Sequence, residues 1–243
     1  MHAGIVPWTD REPKTYMRTN RNHHPDRLNH APDKSDTALL LIDVINDLEF
    51  DGGEKLLAQA LPMAAALSKL KARAKTAGIP AIYANDNFGR WRSDFPRLVQ
   101  YCLGEKIRGK PIVAQLAPDP DDYFVLKPKH SAFYQTNLDI LLNYLGVSTL
   151  ILTGMAADIC VLFTANDAYM RDLQLIVPPD CVASERAEQN RLVLKLMQRV
   201  LKAEIKPSRK IQFNSQPKLG KGAHPPRKRA IREESGQRLG KLP

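Results

Sequence analysis

Three residues of this sequence carry side chains that could do nucleophilic chemistry together: Asp43, Lys127 and Cys160. Cys160 lies in T-L-I-L-T-G-M-A-A-D-I-C-V-L-F-T-A-N-D-A, residues 149–168. A β-branched apolar run (Leu150, Ile151, Leu152) breaks at Thr153-Gly154. Apolar residues at helical spacing (Ile159, Leu162, Phe163, Ala165) resume after Asp158. The pattern predicts strand, tight turn, helix. Cys160 then falls in the first helical turn, where free backbone N–H groups and the helix dipole should stabilise a thiolate. Asp158 is expected to cap that helix. The bland alternative is that Cys160 is only a small buried apolar residue.

Asp43 closes the apolar run T-A-L-L-L-I-D, which reads as a strand buried on both faces. Pro62 is expected to open a helix that Gly78 ends. I-P-A-I-Y-A-N-D gives a second strand running out at Asn85-Asp86, and residues 88–103 a loop and short helix. Ile112 to Leu116 reads as a small edge element, which makes D-D-Y-F-V-L-K, ending on Lys127, the fourth strand. A helix with Thr136 or Asn137 as cap and Gly146 as stop follows. After the cysteine stretch come the strand L-Q-L-I-V-P-P-D and an amphipathic helix over Ala187 to Ala203, with Leu192, Leu196, Met197 and Val200 on one face. Strands alternating with helices predict a parallel α/β sheet covered on both sides. Ligands of such sheets bind at the carboxyl ends of the strands, where Asp43, Lys127 and Cys160 would converge. Burying Asp43 or Lys127 alone carries a heavy desolvation cost, which pairing offsets.

The 243 residues accommodate one such domain with tails. We expect an irregular arm over 1–36, the domain over 37–203 and a disordered basic tail over 204–243. The net charge of +10 resides chiefly in that tail, where eleven Lys and Arg oppose two Glu from Lys206 onward. The tail could bind nucleic acid or an acidic partner through phosphate or carboxylate neutralisation, or merely aid solubility. No apolar run reaches the ~18 residues of a membrane span, the N-terminus lacks the pattern of a signal peptide, and a cytoplasmic protein is expected. Three cysteines without a C-x-x-C pair (Cys102, Cys160, Cys181) argue against a disulfide framework or zinc ribbon. His23-His24 have no metal-ligating partner at suitable spacing.

L-L-L-I-D-V-I-N-D, L-K-P-K-H-S-A-F and T-G-M-A-A-D-I-C-V-L-F-T-A-N-D-A, in this order, resemble the three motifs of the isochorismatase-like cysteine hydrolases. The resemblance covers roughly residues 37–203. It implies a single Rossmann-like three-layer αβα domain with a six-stranded, mainly parallel sheet, and an Asp-Lys-Cys triad carried by Asp43, Lys127 and Cys160. Lys127 is preferred to Lys129 because the family's lysine stands four residues before the serine. The resemblance further implies a cis Met155-Ala156 peptide, with the N–H groups of Ala156 and Cys160 forming an oxyanion hole. Subunit association into a homo-oligomer is also implied. The expected reaction is hydrolysis of a small amide, ureido or related carbonyl compound through a thioester.

Nicotinamidases of the family carry a metal-binding Asp-x-His after the second strand. Here that segment reads N-D-N-F-G-R-W-R-S-D-F, so no metal or other cofactor is expected. Ile45 stands where many relatives have glutamine. Asn87, Arg90, Trp91, Arg92 and Phe133, with Phe50 and Tyr134, are candidate pocket residues from the loops. Arg90 and Arg92 could clamp a substrate carboxylate or simply pair on the surface. The alternatives are an isochorismatase-type vinyl-ether hydrolase, or a non-catalytic module acting through its basic tail.

Overall fold

The computed structural model describes residues 34–87 and 94–213. The arm up to residue 33, the loop 88–93 and the chain from 214 onward lie outside the described residues. The strands are β1 (Thr37–Ile42), β2 (Ala81–Asp86), β3 (Tyr123–Lys127), β4 (Thr149–Met155), β5 (Gln174–Val177), β6 (Val182–Ala183) and β7 (Glu204–Ile205). All their pairings are parallel, in the order β3-β2-β1-β4-β5-β7, with β6 also on β4.

Seven strands occupy six positions. β5 pairs with β4 over Thr149–Ile151 and β6 pairs with β4 at Gly154 and Met155, so the two lie along one flank of β4. Pro178-Pro179, which lack N–H donors, fall in the interruption between them. β1 shows why its run reads as uninterrupted. Ala38, Leu40 and Ile42 pack into the cluster under α4 (Leu138–Leu145), α5 (Leu162–Tyr169) and α6 (Ala187–Val200), while Leu39 and Leu41 pack on the opposite side against α1 (Gly53–Thr76). The result is a three-layer αβα sandwich. Among the described residues, no helix is long and apolar enough to cross a membrane.

Several expectations shift. α1 begins at Gly53, nine residues before Pro62. Pro62 and Ala58, whose carbonyl it deprives of a donor, are both exposed, so water can satisfy that carbonyl while Leu56, Ala60 and Met63 bury the other face. Ile112 lies in the short helix α3 (Lys110–Val113), after α2 (Phe95–Cys102), not in an edge strand, and Lys127 therefore ends the third strand. β4 continues through Thr153-Gly154: Thr153 Oγ1 donates to the Leu40 carbonyl at 2.8 Å, and Gly154 adopts φ 109° against β1. A Cβ there would sit 2.0 Å from the Ile42 carbonyl oxygen, so only glycine lets the strands approach. In α6 the buried face is Val193, Leu194 and Met197, whereas Leu192, Leu196 and Val200 face solvent.

The domain also extends past residue 203. β7 pairs with β5, Ile211 is buried, and Asp180 accepts hydrogen bonds from the Ser208 N–H and Oγ at 2.8 and 2.6 Å. A two-residue strand and a single buried isoleucine are too short to show periodicity amid Lys, Arg and Pro.

Candidate active site

The sheet reverses its winding between β1 and β4, and the carboxyl ends of β1, β2, β3 and β4 meet beside that point. Asp43 follows β1 with a left-handed φ of 51°. Lys127 ends β3 in register with Asp86 at the end of β2. After β4 the Met155-Ala156 peptide is cis, and Ala157–Val161 form one wide helical turn that runs into α5. That turn presents Cys160.

Lys127 is fully buried, and its Nζ holds the group together. It lies 2.8 Å from Asp43 Oδ2, 3.6 Å from Cys160 Sγ and 3.9 Å from Asp86 Oδ2, and donates to the Lys129 carbonyl at 3.3 Å. The Asp86 N–H donates to Asp43 Oδ1 at 2.8 Å. Behind Cys160, Thr164 Oγ1 donates to its carbonyl at 2.7 Å and accepts the Ala132 N–H at 3.0 Å. The fully buried Thr164 thus ties the nucleophile turn to the loop that follows Lys127.

Burial raises the Asp43 carboxyl above the ordinary carboxylate range, despite the adjacent ammonium. Burial opposes the charge on Lys127, but Asp43, Cys160 and Asp86 hold its pKa above the usual lysine value. Burial, reinforced by the Asp43 charge, pushes the Cys160 thiol up to about 12, and Lys127 only partly opposes this. Burial and the Asp43 charge thus oppose the thiolate that the helix start would favour, and the Lys127 ammonium supports it. The turn is capped by Ala156, with no side-chain hydrogen bond, and Asp158 lies in its first turn instead of capping it.

Asp43 and Cys160 line a cleft of about 390 Å³, with Lys127 buried beneath them. Met155 and Ala156 line it beside Cys160, and Phe50, from the loop after β1, forms part of its rim. Asn87 is buried nearby, its N–H donating to the Lys127 carbonyl, but it is not part of the wall. Phe133 is displaced from the site: its ring is buried in the core under α4 and α5, with the Arg171 guanidinium 4.5 Å above it. Tyr134 is exposed away from the wall. Arg90, Trp91 and Arg92 lie outside the described residues. Cys102 and Cys181 are buried, and burial pushes both up to about 12.

Asp86, Asp158, Glu185 and Gln189 also line the cleft. Asp86 was detectable by the rule that found Lys127, since it ends a buried strand. Glu185 and Gln189 follow the two-residue β6, which leaves no strand signal to mark that edge.

Residues 37–205 match the family model described as an isochorismatase domain. YaaI of Bacillus subtilis, described as an uncharacterized isochorismatase family protein, is 47% identical over 172 residues, spanning 71% of this chain and 94% of YaaI. A ureidoacrylate amidohydrolase, RutB of Methylorubrum extorquens, is 28% identical over 62% of this chain and 71% of its own length. The solved N-carbamoylsarcosine amidase of Thermoplasma acidophilum superposes with a TM-score of 0.57 at 29% identity, covering 73% of this chain and 99% of that one.

Proposed function

Because the chain belongs to the isochorismatase family of hydrolases, we propose that it cleaves a small amide or ureido C–N bond with Cys160 as nucleophile. The observation that carries this reading is the buried Lys127 ammonium lying 2.8 Å from Asp43 and 3.6 Å from Cys160, both of which line a cleft. The amide-hydrolysing relatives, named for ureidoacrylate and N-carbamoylsarcosine, support the bond type.

The residue chemistry gives a balanced sequence. Asp43 takes the thiol proton as Sγ attacks the carbonyl carbon; its raised pKa suits a base working against a weakly acidic thiol. Lys127 stays charged and steadies the negative charge passing between Asp43 and sulfur. The N–H groups of Ala156 and Cys160 are assigned to the tetrahedral oxyanion. Asp43 then gives its proton to the leaving nitrogen, the C–N bond breaks and a thioester remains. Water, deprotonated by Asp43, cleaves the thioester and Cys160 recovers the proton. A vinyl-ether hydrolysis of isochorismatase type need not use a thiol, so the closeness of Cys160 to Lys127 and Asp43 favours C–N cleavage.

The test is ammonia or amine release from a panel of small amides and ureas, with rapid-quench intact mass spectrometry. At least one compound should be turned over and leave an acyl adduct on Cys160, and Cys160→Ala should lose roughly a thousandfold or more in kcat. Turnover that survives Cys160→Ala would refute the reading.

A further inference from the structure

Two helices of one layer each carry an exposed apolar stripe, and the stripes lie side by side. On α6, Leu192, Leu196 and Val200 recur every fourth residue and are 40–61% exposed. Along α5 and the turn before it, Ile159, Phe163 and Met170 are 42–69% exposed. The two helices are packed together and run in the same direction, since each follows a strand of one parallel sheet. They begin together at the cleft, which Ile159 and Gln189 both line, and end together around a second cavity of about 590 Å³, which Met170 and Leu201 both line. Gln189 stands three residues before Leu192 on the same flank of α6, so the α6 stripe faces α5 along its length. The opposite layer is different: α1, 24 residues long, exposes Leu61 alone among its large apolar side chains.

The six side chains leave on the order of 600 Å² of contiguous apolar surface, at the upper end of what a monomer keeps in water and, with a polar rim added, close to the ~800 Å² that each partner gives to a stable complex. The charges beside the two stripes are opposite in sign. Residues 157–172 carry three Asp against one Arg, whereas residues 187–202 carry four Lys and Arg against one Glu. Asp172 in the first group and Arg191, Lys195 and Arg199 in the second are exposed. A two-fold interface sets one patch against itself. With the axis along the groove between the helices, α5 of each copy lies on α6 of the other, apolar stripe on apolar stripe and acidic helix beside basic helix. An axis across the groove would set α6 on α6 and like charge on like. The basic C-terminal segment is attached at the opposite layer, where Phe213 lies beside Arg73 of α1.

We propose that the α5–α6 face is the surface on which two copies of this chain pair, related by a two-fold axis along the groove. The first turn of the partner's α6 then rests beside Ile159 at the mouth of the cleft.

The test is sedimentation velocity of the full-length protein at micromolar concentration. Wild type should sediment as a dimer or an even multiple of one. Leu192→Glu with Leu196→Glu should halve that mass while the urea midpoint stays near wild type, because both side chains are exposed within a single copy. Leu61→Glu on α1 should leave the mass unchanged. An acidic α6 (Lys195→Glu with Arg199→Glu) and a basic α5 (Asn166→Lys with Asp172→Lys) should each weaken association about tenfold or more. Mixed in equal amounts, these two variants should pair again, since both α5–α6 contacts of the mixed dimer join opposite charges. Should the glutamates on α6 unfold the chain, the mixed pair decides. A monomeric wild type overturns the proposal, as does a mass that survives Leu192→Glu with Leu196→Glu in a folded chain, or a mixed pair that stays apart. A dimer that forms only once residues 1–33 are removed overturns it too, and gives the face to the arm.

Discussion

The Lys127 ammonium, fully buried, stands 2.8 Å from Asp43 Oδ2. Removing either partner leaves a buried charge uncompensated, at a cost of about 3–5 kcal/mol. Lys127→Met and Asp43→Leu should each lower stability by that amount in urea unfolding. The double variant should lose much less than the sum, because no lone charge remains. Additive losses would show that the two groups do not depend on each other.

Lys71 forms a second, structural ion pair at the opposite edge of the sheet. Its Nζ lies 2.7 Å from Asp122 and 3.1 Å from Asp119, and donates to the Ala117 carbonyl. Burial opposes its charge, but Asp122 and Tyr83 hold its pKa above the ordinary 10.5. A pKa raised on folding stabilises fully below 10.5 and loses that contribution as the pH climbs through the folded value. Asp122→Asn should therefore cost about 2 kcal/mol at pH 7. The gap from wild type should narrow above pH 10.5, read by urea midpoints at several pH values.

Thr164 links the Cys160 carbonyl to the Ala132 N–H. Thr164→Val keeps the shape and strands a buried donor, which costs about 1–3 kcal/mol. It should also lower kcat more than it raises KM, since it moves the nucleophile and not the cleft wall, while Thr164→Ser should restore both. Equal behaviour of the Val and Ser variants would remove Thr164 from the positioning of Cys160.

A chain ending at Phe213 should unfold at a higher urea concentration than one ending at Ala203. The longer chain retains β7, buried Ile211, the Asp180–Ser208 hydrogen bonds and the Arg73 contacts to the Ser208 and Ile211 carbonyls. Indistinguishable midpoints would make this segment energetically idle.

Asp43, Lys127 and Cys160 were legible because each terminates, or follows by one turn, an apolar run that only a doubly covered parallel strand explains. The cis Met155-Ala156 bond followed from family resemblance and not from residue patterning. The start of α1 was hidden by Pro62, since a proline signal does not reveal whether its face is hydrated. α6 carries two apolar stripes, and periodicity alone could not say that Val193, Leu194 and Met197 face inward while Leu192, Leu196 and Val200 face outward. Phe133 is ambiguous in the same way, since an aromatic loop residue serves a core as well as a pocket, and here it serves the core. What opposes the Cys160 thiolate is not legible in the chain, because helix position is a local property, whereas burial and the Asp43 charge arise only when distant strands meet.

The most direct test of the account is the iodoacetamide alkylation rate of Cys160, read peptide by peptide by mass spectrometry across pH 6 to 10, in wild type, Asp43→Asn and Lys127→Met. With a thiol pushed up to about 12, the thiolate fraction grows tenfold per pH unit throughout this range, so the wild-type rate should climb without a plateau. Asp43→Asn removes the charge that raises the thiol and leaves Lys127 to favour the thiolate, so alkylation should quicken although turnover is lost. Lys127→Met should slow it. A wild-type plateau near neutral pH, or substitutions that shift the rate in the same direction or not at all, would contradict a neutral thiol governed by Asp43 and Lys127.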